Sequence, residues 1–171
     1  MTRLFLCFLL TTNAGSFIGE TRDETNGLTI RLVKIDHSGH INIDLNNESS
    51  KPIRTWDDSN SWGAARWRVL VLSKGRLEGY FQNPNRAFTR NGPGFSEIAG
   101  KAHIERTIDL NDGDWCTLDK CPSRDQRGTS VRQVRLEVGD VVIAIYDVPV
   151  TGEAREMNVW YGVVAASVTV Q

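Results

Sequence analysis

The chain has 171 residues, of which 40% are hydrophobic, and its 20 lysines and arginines nearly balance its 21 aspartates and glutamates. A net charge of −1 excludes the strong electrostatic attraction on which binding to nucleic acids or anionic membranes depends. The length fits one domain with a hydrophobic core of its own.

The N-terminal residues 1–14 have the layout of a secretory signal peptide. Arg3 precedes an apolar run over residues 4–10, and Ala14 ends a stretch of small residues suited to cleavage within 14–19. The run is shorter than the roughly 20 residues that cross a bilayer, so no integral membrane segment is expected after cleavage. A buried first strand or helix and a lipoprotein signal at Cys7 are the alternatives. We therefore expect a secreted or periplasmic protein.

Most of the remaining sequence alternates between apolar and polar residues, which is the pattern of half-buried β-strands. Residues 15–27 are expected to form a flexible N-terminal segment, and residues 28–171 a single domain. A long loop is predicted over Asn83–Ala99, and one helical turn over Glu153–Met157. Strands are predicted at Leu28–Ile35, His40–Leu45, Trp67–Leu72, Leu77–Phe81, Ala102–Leu110, Val131–Val138, Val141–Tyr146 and Trp160–Val170.

These strands and the short turns between them predict an antiparallel all-β protein. The connections are too short for the helical crossovers of a parallel sheet. We predict a two-sheet, immunoglobulin-like sandwich of about seven to nine strands, with no substantial helix in the mature chain.

Two cysteines, Cys116 and Cys121, remain after the signal segment is removed. In an oxidising compartment, an isolated pair this close in sequence is expected to form a local disulfide. Two free thiols are an alternative, and a metal site lacks further cysteine or histidine ligands nearby in the sequence. The disulfide would stabilise one loop rather than the domain as a whole.

Several turn motifs occur in an order that resembles a known group of domains. One strand ends in the Asn-rich turn Asn46–Ile53 (NNESSKPI), followed by Trp56 and the strand WRVLVL, and Ile98–Lys101 (IAGK) opens a later strand. This order resembles small bacterial sandwich domains of the BsuPI-type proteinase-inhibitor family and related periplasmic domains. The resemblance covers about half of the mature chain. It implies a sandwich fold and protease inhibition, and it assigns no inhibitory residue.

The segment before the strand WRVLVL is rich in tryptophan and short polar side chains. Such a composition suits sugar binding, because indole rings stack on apolar sugar faces while polar groups bind hydroxyls. The candidate ligand-binding residues are Trp56, Asp57, Asp58, Asn60 and Trp62. The alternative is that the tryptophans belong to the core of the sandwich, as we predict for Trp67.

No other cluster in the sequence indicates a specific chemistry. The acidic loops that begin at Asp58 and Asp109 lack the glutamate of an EF-hand, so they indicate either turns or a looser calcium site. His37 and His40 flank one turn and could meet, but His103 is distant in sequence and no third ligand is nearby, so we expect no metal site and no cofactor. Hydrolase and zinc-protease motifs are absent, so no catalytic residue is assigned and enzyme activity is not expected. Asn47-Glu-Ser49 is either a glycosylation sequon or a plain turn.

The sequence therefore predicts a secreted or periplasmic binding or structural module whose partner is an unknown protein or glycan. The loop Trp56–Trp62 and the segment Asn83–Ala99 are the candidate contact surface, because sandwich domains carry recognition on their loops. A protease inhibitor is the first alternative, and a small hydrolase with catalytic residues on its loops is the second.

Overall fold

A computed structural model describes residues 19–21 by their backbone, and residues 27–83, 88, 92–117, 121 and 133–171 in full. The predicted signal segment 1–14 lies outside these residues. The strands are β1 (Gly19–Thr21), β2 (Leu28–Ile35), β3 (His40–Asn47), β4 (Ile53–Trp56), β5 (Trp67–Ser73), β6 (Arg76–Gln82), β7 (Phe95–Ile98), β8 (His103–Asp109), β9 (Trp115–Thr117), β10 (Val141–Val148) and β11 (Gly162–Thr169). The helices are α1 (Ser61–Ala64) and α2 (Gly152–Glu156). For the residues that the structure describes, the prediction of an all-β protein without substantial helix is confirmed.

The strands form three sheets in which neighbours are antiparallel. The large sheet has the order β1-β11-β10-β5-β6-β9, the small sheet has the order β2-β3-β8, and β4 pairs with β7 alone. The sheets share one hydrophobic core, which gives a sandwich-like arrangement. In the part of the chain that the structure describes, no helix has the length and apolar character needed to cross a membrane.

The core lies between the large and small sheets and follows the period of two expected from the sequence. The side chains of Ile41, Ile43 and Leu45 in β3 are buried, and so are alternate residues of β10, including Val142 and Tyr146. Alternate burial arises because successive side chains of a strand point to opposite faces of the sheet. The remaining residues of β10 consequently point away from the core.

Four strands were not predicted from the sequence. These are β1, β4, β7 and β9, which have only three or four residues each. Strands this short contain too few residues for an alternating pattern to be recognised. The prediction of one long loop over Asn83–Ala99 is therefore wrong for Phe95–Ile98, which forms β7.

The predicted strand Val131–Val138 is wrong in the part that is described, because residues 133–138 belong to no sheet. Val134 and Leu136 are nevertheless buried in alternation. A side chain replaces a neighbouring strand here: the amide of Asn111 accepts a hydrogen bond from Val134 N at 2.6 Å and donates one to Val134 O at 3.2 Å. Similarly, Leu136 N donates to the carbonyl of His37 at 3.0 Å. The segment therefore shows the burial pattern of a strand without a ladder partner.

The predicted disulfide is present. Cys116 in β9 is bonded to Cys121 with an S–S distance of 2.06 Å, so the alternatives of free thiols and a metal site do not apply to this pair. The bond closes a short loop at one edge of the large sheet. A disulfide is compatible with an oxidising, extracytoplasmic location.

Candidate functional site

The tryptophan-rich segment begins with a tight turn after β4. Ser59 N donates to Oδ1 of Asp57 at 3.0 Å, and Asn60 caps α1 by accepting hydrogen bonds from Trp62 N at 2.9 Å and Gly63 N at 3.2 Å. These bonds satisfy backbone N–H groups that a helix start otherwise leaves unpaired. Asp57 and Asn60 therefore shape the backbone, which is the turn-forming role that acidic and amide residues commonly have.

Gly63 allows α1 to pack closely against this turn. A Cβ atom at position 63 would lie 2.3 Å from the carbonyl oxygen of Asp57. Such a distance is far below van der Waals contact, so only glycine fits. The close packing at Gly63 thus sets the position at which β5 begins relative to β4.

The two candidate tryptophans have different surroundings. Trp56 is only 2% exposed and belongs to the core. Trp62 is partly buried, and its indole Nε1 donates to Oε2 of Glu153 in α2 at 3.2 Å. In this structure the ring of Trp56 is not accessible for stacking on a sugar. The core alternative therefore describes Trp56, and the same holds for Trp67, which is also buried.

Asp58 is the candidate residue with the most unusual electrostatic environment. Its Oδ2 accepts a hydrogen bond from Nε of Arg106 at 2.5 Å, and its Oδ1 accepts one from Nε1 of Trp67 at 3.3 Å. The Arg106 and Asp58 side chains are 26% and 30% exposed, so the pair lies at the boundary between core and solvent. Burial raises the pKa of Asp58, and the guanidinium of Arg106 opposes that shift.

An aromatic column lies beside this ion pair. Tyr146 packs between Trp67 and Trp160, with ring centroids 4.7 Å and 5.9 Å away. Its hydroxyl approaches the backbone of Trp56 without forming a hydrogen bond of standard geometry. Burial raises the pKa of Tyr146, and the charge of Asp58 adds to the shift. Burial and the neighbouring carboxylate thus both favour the protonated form of the Tyr146 hydroxyl.

The two segments predicted as the contact surface meet in space. Thr55 and Trp56 in β4 pair with Ser96 and Phe95 in β7. Asp57 N donates to the carbonyl of Gly94 at 2.9 Å, which continues the contact beyond the strand. The sequence prediction thus named neighbouring surfaces, but it assigned an exposed role to a tryptophan that is in the core.

The sequence analysis missed a second surface, on the outside of the large sheet. Seven side chains there form what we call the outer apolar face: Leu70, Leu72, Leu77, Phe81, Val141, Ile143 and Ile145. Leu77 is 63% exposed and Leu72 is 41% exposed, while the others retain partial exposure. Arg68 lies between Ile145 and Phe81 in the last row of this face, and it forms an ion pair with Asp147 at 3.2 Å. The sequence feature that could have indicated this face is the presence of apolar residues on both sides of the strands WRVLVL and VVIAIY.

Strand register explains how the outer apolar face forms a continuous surface. Leu72 in β5 pairs with Val141 in β10 on one side and with Leu77 in β6 on the other. The next outward row pairs Ile143 with Leu70. Paired side chains on one face of a sheet contact each other across strands. The rows therefore join into one patch.

Comparison of the chain with protein-family models, with curated proteins and with solved structures finds no match in any of the three.

Proposed function

We propose that this protein is a secreted or periplasmic β-sandwich binding module that associates with a second copy of itself through the outer apolar face. The observation that carries the proposal is the apolar composition of this face. Antiparallel sheets with one solvated side usually alternate between apolar residues inside and polar residues outside. In β10 the outward residues Val141, Ile143 and Ile145 depart from that rule.

The size of the outer apolar face supports a protein interface. Three strands about 4.8 Å apart and three side-chain rows about 7 Å apart give an area of roughly 300 Å². Gly79 and Arg68 occupy two of its nine positions. Specific complexes bury about 800 Å² on each partner, with an apolar centre and a polar rim. The patch has the dimensions of such a centre. Burial of a large aliphatic side chain favours association by about 1.5–3 kcal/mol before the entropic cost of binding.

A second copy of the chain is the partner that this surface fits. Flat sheet faces pack on one another at about 10 Å, and a two-fold axis sets the same patch against itself. Arg68, in the last row of the face, forms an ion pair with Asp147 just beyond that row. Because the two charges neutralise each other locally, the ion pair adds no net charge to the face.

Sedimentation velocity of the purified chain over a range of concentrations tests this proposal. We expect a reversible dimer for the natural chain and a monomer for the double variant Leu72→Lys/Ile143→Lys, because buried lysines would lack partners. Val33→Lys is the matched control, since Val33 is an exposed apolar residue of the small sheet. Circular dichroism establishes that each variant is folded.

Two results would contradict the proposal. The first is a natural chain that stays monomeric up to about 1 mM, the weak limit for a specific contact. The second is a folded double variant that dimerises as strongly as the natural chain. The location is tested separately by the intact mass of the exported protein, which should lack the predicted signal segment 1–14.

A further inference from the structure

The outer face of the small sheet brings together three side chains that are common metal ligands. Asp44 in β3 pairs with Glu105 in β8, and the next outward pair on the same strands is Asn46 with His103. His103 and Glu105 are two residues apart, so they share one side of β8. One ligand atom from each of Asp44, His103 and Glu105 lies within 4.8 Å of the other two.

Among the described residues, the side chains of His103 and Glu105 have no polar contacts that would compete with metal binding. Both are exposed, and neither forms a hydrogen bond or ion pair through its side chain. Asp44 is different, because its side chain is only 7% exposed and its Oδ2 accepts from Nη2 of Arg31 at 2.5 Å. Burial and this ion pair hold the Asp44 carboxylate in place. The Asp44 carboxylate is therefore held in one position, whereas the exposed side chains of His103 and Glu105 can change rotamer to reach a metal ion.

We propose that Asp44, His103 and Glu105 bind one divalent transition-metal ion of the Zn²⁺ type. One imidazole nitrogen and two carboxylate oxygens suit zinc, whereas Ca²⁺ and Mg²⁺ prefer sets made of oxygen alone. Ligand atoms around tetrahedral zinc are about 3.4 Å apart. Rotation of the exposed His103 and Glu105 side chains closes the remaining distance. Three protein ligands leave the fourth position for water or for a donor from a partner.

Arg31 makes the proposal sharply testable. Its guanidinium neutralises Asp44 and adds a positive charge next to the incoming cation. If the three side chains bind a metal, removal of this charge should strengthen binding. If zinc binds elsewhere on the protein, removal of Arg31 should leave the affinity nearly unchanged, because salt screens the charge over distance.

Another histidine on the same face provides a matched control. His40 lies between Asp36 and Asp109, with N–O distances of 3.2 Å to each carboxylate. It therefore combines a histidine and two carboxylates, as the proposed site does, but these three groups do not converge on one point among the described residues. Nonspecific attraction of zinc to acidic surfaces would involve both histidines equally.

Isothermal titration of the metal-free protein with ZnCl₂, in slightly alkaline buffer without chelators, tests the site. We expect one zinc ion per chain, with affinity lowered about tenfold or more by His103→Ala and also lowered by Glu105→Gln. Arg31→Gln should raise the affinity several-fold, and His40→Ala should leave it unchanged. Titration with Co²⁺ provides a second readout, because its visible absorption reports the ligand environment directly.

The proposal fails if the natural chain binds no zinc up to about 1 mM. It also fails if folded His103→Ala binds as tightly as the natural chain, or if His40→Ala removes the binding instead. The substituted side chains are exposed, so circular dichroism should show an unchanged fold. Repeating the titration on Leu72→Lys/Ile143→Lys separates this site from self-association, because those substitutions lie on the other sheet.

Discussion

Arg106 in the small sheet donates to Asp58 at 2.5 Å, and the same carboxylate accepts from the indole of Trp67 in the large sheet at 3.3 Å. Asp58 therefore connects both sheets to the turn that follows β4. Arg106 points inward on β8, opposite Ile43. The ion pair with Asp58 accounts for the inward position of this charged residue in the sheet.

We expect Arg106→Met to lower the free energy of unfolding by about 1–3 kcal/mol at neutral pH. The value is below that of a fully buried pair because both side chains are partly exposed. Arg68→Met is the control, since Arg68 pairs with Asp147 on the outside of the large sheet and should cost about 1 kcal/mol or less. Urea denaturation followed by tryptophan fluorescence measures both changes.

The cost of Arg106→Met should depend on pH. Burial raises the pKa of Asp58, so the folded state binds the proton more tightly than the unfolded state does. Loss of Arg106 strengthens this tendency, and the deficit should shrink as the pH falls and Asp58 becomes protonated. A deficit that stays constant from neutral to acidic pH would show that lost packing, and not the unpaired charge, causes the instability.

Asn47→Ala should be among the most destabilising substitutions of a polar residue. Asn47 is 1% exposed, and its Nδ2 lies 2.7 Å from Lys51 O, 3.0 Å from Ile98 O and 3.1 Å from Ala99 O. Without this donor, buried carbonyl groups lose their partner, and we expect a loss of about 2–4 kcal/mol in urea denaturation. Asn46→Ala, at a half-buried neighbouring position, should cost less than about 1 kcal/mol. Equal effects would contradict the bridging role.

Gly63→Ala should destabilise the protein by about 2–4 kcal/mol. The added Cβ would lie 2.3 Å from a backbone oxygen of Asp57, and neither backbone can move without disturbing the turn. Gly152→Ala is the matched control at the start of α2, where an added Cβ meets nothing within 4 Å. The control should be neutral or slightly stabilising. Thermal unfolding of the two variants in parallel would refute the packing explanation if their midpoints coincide.

Asp36→Ala should reduce stability in a pH-dependent manner. Hydrogen bonds from the Ser38 hydroxyl and the His40 backbone lower the pKa of Asp36 to about 2. Since this pKa lies below the unfolded value near 3.8, the carboxylate stabilises the fold above about pH 4, and that contribution disappears as the pH falls towards 2. The natural chain and the variant should therefore differ in urea midpoint at pH 5 and converge near pH 2. A difference that grows on acidification would reverse the assigned sign.

The sequence predicted best where a strand was long and only one side was apolar. Leu28–Ile35 was predicted with the bounds that β2 has in the structure, because Leu28, Ile30 and Leu32 alternate and give a period of two up to the register shift that follows Leu32. At Val134 and Leu136 an alternating pattern led to the wrong prediction of a strand. Burial does alternate there, but the backbone of Val134 is hydrogen-bonded to the side chain of Asn111 and not to a neighbouring strand. Such pairing depends on tertiary contacts that a local pattern does not contain.

The candidate sites show the same limit. Nothing in the sequence around Trp56 distinguishes an exposed indole from a buried one, because β4 has only four residues. The proposed metal ligands were missed for a different reason. His103 and Glu105 have a spacing that places them on one side of a strand, but the position of Asp44 beside them depends on the register between β3 and β8. Register between strands distant in sequence is set by the whole fold.

Both edges of the large sheet end in strands of only three residues, β1 and β9. A strand edge carries unpaired N–H and C=O groups that can add strands from other molecules, and a short edge strand offers little room for such growth. The disulfide adjoining β9 further restricts that side. The large sheet consequently offers little edge to which strands of other molecules could add, whereas the edge strands of the small sheet, β2 and β8, are longer.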